Sequence, residues 1–191
     1  MRPLFAAFAI LIAFAMPLSA VEMGEDGLHK TDWMRITFKD MSEDLAAANA
    51  EGKRMVLLFE QRGCSYCRKM HETVFPDPDV DALIREKFFV VQMNLFGVED
   101  VTDFDGTVLS EKAMARRWGV VFTPTILFMP EEKPENGNAG QAAVAVMPGA
   151  FGKWTTLNMF KWVSIKGYET EEHFQKYHAR EYLRQTGKTT E

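Results

Sequence analysis

The chain has very little cysteine: Cys64 and Cys67 are the only two in a sequence of 191 residues. A structural zinc centre takes four ligands, and a second cysteine pair is missing, so histidines such as His71 would have to supply the rest. A disulfide between residues three positions apart closes a very small loop and constrains the unfolded chain only weakly. Stabilisation of the fold is therefore a poor explanation for the pair, and thiol chemistry is a better one.

Basic residues are also scarce relative to acidic ones, because 22 Lys and Arg face 27 Asp and Glu and the formal net charge is −5. Proteins that bind nucleic acid neutralise its phosphates with a surplus of Lys and Arg. The composition therefore argues against nucleic acid as a partner. The sequence shows no internal repeat and no low-complexity segment.

Long apolar runs are missing after residue 20, so no later segment is predicted to cross a bilayer. Residues 1–20 differ, because Met1-Arg2-Pro3 is followed by apolar residues to Met16 and then by a short stretch ending at Ala20. This order is typical of a secretory signal peptide, and we expect cleavage after Ala20 and export to an oxidising compartment. An uncleaved N-terminal membrane anchor is the alternative. The remaining chain has the length of one domain.

The apolar pattern alternates between strands and helices. Continuous apolar runs at residues 55–59, 89–95 and 125–129 are typical of strands buried on both faces, and further strands are predicted at Trp33–Phe38 and Ala142–Met147. Helices are predicted at residues 42–50, from 65 to about 72, from 78, at 110–118, and as a pair within 153–185. The sequence therefore predicts an α/β fold with a helical C-terminal extension.

The segments between these elements are predicted from their polar residues. Residues 21–32 are expected to be a loose N-terminal segment, and residues 96–107 an acidic, solvated loop. Ser42 is the predicted N-cap of the first helix. The pair Asp77-Pro78 predicts an N-cap followed by a first-turn proline.

Cys64-Ser65-Tyr66-Cys67 follows the first buried strand and begins a predicted helix. The free amides and positive dipole end of a helix favour an anion, and the thiolate is the reactive form of cysteine. Cys64 is therefore predicted to be an exposed nucleophile. Cys67, one turn later, is predicted to be more buried and placed to attack a mixed disulfide formed by Cys64.

Pro124 stands immediately before the third buried strand. Proline has no N–H to donate to a sheet, so it is tolerated at the entrance of a strand. An X-Pro bond at this place can be cis or an ordinary trans bond.

The motif after Leu57-Leu58-Phe59, with Thr123-Pro124-Thr125 before the later strand, resembles the thioredoxin superfamily. This resemblance implies a thioredoxin fold over residues 33–187, with a mixed central sheet of four to five strands flanked by helices. Finer features resemble exported thioredoxins of the SoxW type, which serve periplasmic sulfur-oxidation systems: Glu60-Gln61, Met70-His71, Val74-Phe75 and Asp77-Pro78-Asp79-Val80.

The resemblance also implies roles for residues near the cysteines. Thr123 would offer its backbone to a substrate strand, and a cis Pro124 would face the cysteine pair and discourage metal capture. Apart from the resemblance, Tyr66 is expected to shape contact with the substrate because it lies between the two cysteines. No cofactor and no resident metal are implied.

The sequence departs from the superfamily pattern at Leu58, where thioredoxins often have a buried aspartate that accepts the proton of the second cysteine. Glu60 is a possible replacement as proton acceptor, through water, and a plain surface residue is the alternative. His71, four residues after Cys67, would favour thiolate if protonated; otherwise it is solvent-facing or hydrogen-bonded.

The leading hypothesis is a periplasmic reductase that opens disulfides in client proteins with exposed disulfides or cysteines. A membrane thiol carrier would re-reduce the pair, the clients would belong to sulfur oxidation or cytochrome maturation, and the protein would act as a monomer. A disulfide oxidase or isomerase is one alternative. A Cu(I)-binding chaperone using Cys64, Cys67, His71 and Met70 is another.

Overall fold

The computed structural model describes residues 22–135 and 137–187. Its central sheet has five strands: β3 (Met34–Arg35), β4 (Arg54–Glu60), β5 (Phe88–Asn94), β8 (Thr125–Phe128) and β9 (Ala145–Pro148). Their order is β3-β5-β4-β8-β9. The first three are mutually parallel, whereas β8 is antiparallel to β4 and β9 antiparallel to β8. The mixed sheet predicted from the sequence is confirmed.

Two short hairpins lie outside this sheet. One pairs β1 (Glu22–Met23) with β2 (His29–Lys30), and the other pairs β6 (Asp100–Thr102) with β7 (Val108–Ser110).

Helices cover both faces of the sheet. They are α1 (Met41–Ala50), α2 (Ser65–Lys69), α3 (Pro78–Lys87), α4 (Glu111–Arg117), α5 (Ala139–Ala142), α6 (Lys153–Ser164) and α7 (Phe174–Thr186). A π-helical turn (Met70–Val74) continues α2, and a 3-10 turn (Gly167–Glu169) separates α6 from α7. The predicted pair of C-terminal helices is confirmed. Within the described ranges no helix is long and apolar enough to cross a membrane.

Strand β4 is buried along its whole length because its alternating side chains enter two different cores. Val56 and Leu58 belong to the core under α3 and α6, whereas Leu57 and Phe59 belong to the core under α1 and α4. This is the reason that the strand has a continuous apolar run rather than an alternating one. Burial on both faces fixes the strand end from which the cysteine motif follows.

The predicted strand Trp33–Phe38 is mostly wrong. Only Met34 and Arg35 pair with β5, and the chain then leaves the sheet. Ile36 and Phe38, which the alternation of the predicted strand places on the same face as Met34, are almost fully exposed, at 104% and 95%. Alternation alone cannot say how long a strand stays paired, because pairing depends on the neighbouring strand.

The predicted N-cap of α1 is also wrong by two residues. Asp40 caps this helix, and its carboxylate accepts hydrogen bonds from the backbone N–H of Ser42 and Glu43. Both Asp and Ser are strong N-cap residues, so the sequence offered two candidates. The predicted cap at Asp77, with Pro78 in the first turn of α3, is confirmed.

Two further segments differ from their predictions. The predicted acidic loop, residues 96–107, contains strand β6 and the turn of the β6–β7 hairpin, and Asp103 in this turn is 1% exposed. The predicted strand Ala142–Met147 begins three residues late, because residues 139–142 form α5. Gly140 lets α5 approach α4 closely, since a Cβ there would lie 2.5 Å from the backbone oxygen of Trp118.

The N-terminal segment, predicted to be loose, forms the hairpin of β1 and β2 from residue 22 onwards. The predicted signal peptide, residues 1–20, lies outside the described residues.

Asp44 on α1 gives the fold a pH dependence. Burial raises the pKa of this carboxyl to about 6, with the nearby acids Asp40 and Glu43 adding to the effect and a hydrogen bond from Thr37 opposing it. A carboxyl with a raised pKa in the folded state costs stability above that pKa, and the cost disappears as the pH falls towards 3.8.

We therefore expect Asp44→Asn to stabilise the protein at pH 7.5 by about 1–2 kcal/mol, a value reduced for screening by solvent. Between pH 6 and pH 4 the advantage of the variant should shrink towards zero. Urea denaturation of both proteins at several pH values measures the difference. An equal difference at pH 4 and pH 7.5 would contradict this assignment.

Candidate active site

The two cysteines form a disulfide at the beginning of α2. Their sulfur atoms are 2.11 Å apart, and Cys64 is the N-cap residue of the helix. The backbone N–H of Cys67 donates to Sγ of Cys64 over 3.0 Å. Gly63 immediately before has φ of +72°, a left-handed conformation that glycine adopts without strain. The predicted position of the first cysteine at the helix start is confirmed.

The two cysteine residues differ in exposure, although less than predicted. Cys64 is 9% exposed and Cys67 is 0% exposed. Cys64 was predicted to be an exposed nucleophile, and in the disulfide form it is nearly buried because the loop before β8 lies over it. Of the two cysteines, Cys64 is nevertheless the one with surface exposed to solvent.

The loop before β8 meets the disulfide through Thr123, whose hydroxyl donates to Sγ of Cys64 over 3.3 Å. The Thr123–Pro124 peptide bond is cis. Pro124 is buried and Thr123 half-buried, so the loop is fixed against the sulfur. The structure therefore brings together two segments that are about sixty residues apart in the chain.

Exposed apolar side chains surround this contact. Tyr66, between the cysteines, is 65% exposed, and Val121 and Phe122 in the loop before β8 are also exposed. Apolar side chains grouped at the surface are typical of a binding region.

Glu60, at the end of β4, is buried and is not a surface residue. Its Oε1 lies 2.9 Å from Nε2 of His71, and its Oε2 accepts a hydrogen bond from Gln92 over 2.6 Å. With the carboxylate as acceptor, Nε2 of His71 carries a hydrogen, and in the neutral ring Nδ1 then has the lone pair. Nδ1 is buried and has no hydrogen-bond partner among the residues that the structure describes.

His71 follows Cys67 by four residues on the continuous segment of α2 and the π-helical turn, so both side chains lie on the same side of it. Both residues are almost completely buried. A π-helical turn in an otherwise α-helical segment often accompanies a functional site. The Glu60–His71 pair therefore lies on the same side of this helical segment as Cys67.

His29 of β2 completes this buried cluster and was missed in the sequence analysis. Its ring stacks on that of His71, with centroids 4.8 Å apart and planes inclined by 18°. Burial and the neighbouring His71 lower the pKa of His29 below its ordinary value. No spacing links His29 to residue 60 or 71, so the sequence carried no signal for it.

His29, Glu60 and His71 are close enough to be considered as metal ligands, since their ligand atoms lie within 4.8 Å of one another. The lone pairs of an imidazole lie in the plane of its ring, so two stacked rings do not direct them at a common point. Both oxygens of Glu60 already accept hydrogen bonds. The geometry is that of a hydrogen-bonded cluster rather than of a preformed metal centre.

Three ligands of the predicted Cu(I) site, Cys64, Cys67 and His71, already have partners in the disulfide form. The two sulfurs are joined to each other, and His71 is hydrogen-bonded to Glu60.

Comparisons with known proteins agree with this architecture. The chain is similar to a thioredoxin-fold protein from Helicobacter pylori, with 18% identity, a TM-score of 0.53, and coverage of 70% of this chain and 84% of that one. It is also similar to a thioredoxin from Thermus thermophilus, with 25% identity, a TM-score of 0.51, and coverage of 70% and 95%. A comparison with curated proteins gave no match.

The thioredoxin fold predicted from the sequence is thus confirmed, whereas the finer likeness to the SoxW type stays a prediction. The profile of the thioredoxin-like domain matches residues 41–141, more than half of the chain, and includes both cysteines, Glu60 and the cis proline. The chain belongs to the thioredoxin-like domain family.

Proposed function

We propose that this protein is a thiol-disulfide oxidoreductase that reduces disulfides in client proteins with Cys64 and Cys67. The observation that carries the proposal is the disulfide at the start of α2, with the Cys67 N–H and the Thr123 hydroxyl both donating to Sγ of Cys64. These two donors would favour a negative charge on that sulfur after reduction. Cys64 is therefore the proposed nucleophile.

The reaction proceeds in two exchanges. The thiolate of Cys64 attacks one sulfur of the client disulfide, the client bond breaks, and the other client sulfur leaves as a thiolate that takes up a proton. Cys67 then loses its proton and attacks Sγ of Cys64, which forms the intramolecular disulfide and releases the second client thiolate. The client gains the two electrons that the cysteine pair loses.

Glu60 is proposed to assist the second exchange through His71. Its carboxylate holds the Nε2–H of the ring, so that Nδ1 is free to accept the proton of Cys67. From the sequence, Glu60 was a candidate to accept this proton itself, through a water molecule, but both of its carboxylate oxygens are engaged by His71 and Gln92. Nδ1 of His71 is therefore the proposed acceptor of the Cys67 proton, and Glu60 is the residue that orients the ring.

The exposed apolar residues around the disulfide are proposed to contact the client. Tyr66, Val121 and Phe122 offer apolar surface, and the backbone of Thr123 beside Pro124 would pair with an extended client segment. Such a surface suits partly unfolded or extended segments of many sequences, because backbone pairing does not depend on side chains.

The proposed setting follows from the first twenty residues and from the likeness to exported thioredoxins. The protein would work in the periplasm as a monomer without a cofactor, and a membrane thiol carrier would return electrons to the disulfide. Its clients would have exposed disulfides or cysteines in sulfur oxidation or cytochrome maturation. Re-reduction is required by the chemistry, because an oxidising compartment leaves the pair as a disulfide.

The experiment that tests the proposal is catalysis of insulin disulfide reduction with dithiothreitol as the electron source. The protein should accelerate the reaction well above the rate with dithiothreitol alone. A rate equal to that of dithiothreitol alone would contradict the proposal.

A further inference from the structure

The N-terminal hairpin, residues 22–30, contacts the cysteine-bearing segment on both sides of the disulfide. Before Cys64, the guanidinium of Arg62 donates to the backbone oxygens of Glu25 over 3.2 Å and of Asp26 over 3.4 Å. After Cys67, the ring of His71 stacks on that of His29. A hairpin that touches both ends of a reacting segment can restrict how that segment moves.

The hairpin is also fixed to the sheet beside Glu60. The amide nitrogen of Gln92 donates both to the backbone oxygen of His29, over 2.7 Å, and to Oε2 of Glu60, over 2.6 Å. Lys30 donates to the amide oxygen of the same Gln92 over 2.6 Å. Gln92 therefore links the position of the hairpin to the position of the carboxylate that orients His71.

The contact between His29 and His71 is a contact between rings rather than a hydrogen bond. Four groups around His29 set its charge: His71 and Arg68 disfavour protonation, Glu60 and Glu72 favour it, and burial outweighs them and lowers the pKa. His29 is thus neutral at neutral pH, and its stacked ring supports His71 by shape.

We propose that His29 is a positioning residue of the redox site, which holds the imidazole of His71 in the orientation where Nε2 meets Glu60 and Nδ1 stays free for the proton of Cys67. The hairpin that carries His29 is then a working part of the site. This inference rests on the proposed function, in which His71 takes that proton.

The resolving step can be measured without any client protein. Glutathione disulfide reacts with reduced Cys64 to give a mixed disulfide and one glutathione, and attack by Cys67 then releases the second glutathione. The rate of the second release, followed from pH 5 to pH 9, reports on the proton of Cys67. We expect His29→Ala to slow this release at pH 7 by about tenfold. Without the stacked ring of residue 29, the imidazole of His71 is no longer held in position and accepts the proton of Cys67 less efficiently.

Three comparison variants separate positioning from other effects. His29→Phe keeps an aromatic ring without titration, and it should restore the release to within about twofold of the wild-type rate. His178→Ala removes a ring that stacks on Phe174 in the C-terminal helices, and it should leave the release unchanged. Glu60→Gln removes the carboxylate itself and should slow the release by about a hundredfold.

A base that is misplaced leaves solvent to take the proton of Cys67, so the release in His29→Ala should rise more steeply with pH than in the wild type. A purely structural loss would lower the rate equally at every pH. The inference is overturned if His29→Ala releases glutathione at the wild-type rate, or if His29→Phe is as slow as His29→Ala. A wild-type rate in Glu60→Gln would instead overturn the role proposed for the Glu60–His71 pair, and the role of His29 with it.

Discussion

The Cys64→Ser variant is expected to reduce insulin disulfides no faster than dithiothreitol alone. Serine replaces the sulfur that receives the hydrogen bonds from Cys67 and Thr123, and its hydroxyl cannot form a mixed disulfide. The loss should therefore be complete, although the fold stays intact because a disulfide over three residues contributes little to stability. Turbidity of precipitating insulin measures the activity, and circular dichroism checks the fold.

Cys67→Ser is the matched variant, and its expected result is different. Cys64 can still attack a client, but the second exchange is missing, so mixed disulfides with client proteins should accumulate. Non-reducing gels and mass spectrometry identify the trapped client and the attacking cysteine. The assignment of the nucleophile would be wrong if Cys64→Ser kept the parent rate. It would also be wrong if mixed disulfides with clients accumulated on Cys67 in the Cys64→Ser variant.

Asp103→Ala is expected to cause a large loss of stability. The buried carboxylate accepts hydrogen bonds from Trp118 Nε1 over 2.7 Å, from the N–H of Ala139 over 3.0 Å and from the N–H of Phe104 over 2.8 Å. Arg117 lies 3.2 Å away as its ion-pair partner. Removing one partner of a buried charged group leaves the others unpaired, which costs about 3–5 kcal/mol.

Asp105→Ala is the control for this prediction. Asp105 is exposed and also pairs with Arg117, so its removal should change the free energy of unfolding far less than the removal of Asp103 does. Urea denaturation of the three proteins gives the two differences. Equal losses for the two variants would show that the buried network around Asp103 does not hold α4, α5 and the β6–β7 hairpin together.

Residues whose role is set by their neighbours in sequence could be predicted well. The continuous apolar runs that became β4, β5 and β8 gave three strands of the sheet, and Asp77-Pro78 gave the start of α3. The position of Cys64 at the start of a helix was equally local, because it follows a buried strand and precedes helix-forming residues. Each of these features depends on periodicity or capping within a few residues.

Residues whose role depends on distant partners were missed or misjudged. Asp103 looked like one of several solvated acids, and only its contacts with Trp118 and Ala139 show otherwise. His29 had no signal at all, since its partner His71 is more than forty residues away. Ile36 and Phe38 looked like strand residues until the pairing with β5 ended before them. A single sequence shows which side chains are present, but it does not show which distant side chains meet in the folded protein.

The reduction potential of the Cys64–Cys67 pair, measured in equilibrium with a dithiol buffer, tests the central claim most directly. A client reductase requires a value near that of thioredoxin, about −270 mV. A value near about −120 mV, typical of a strong oxidant, would contradict the reductase and favour the oxidase alternative.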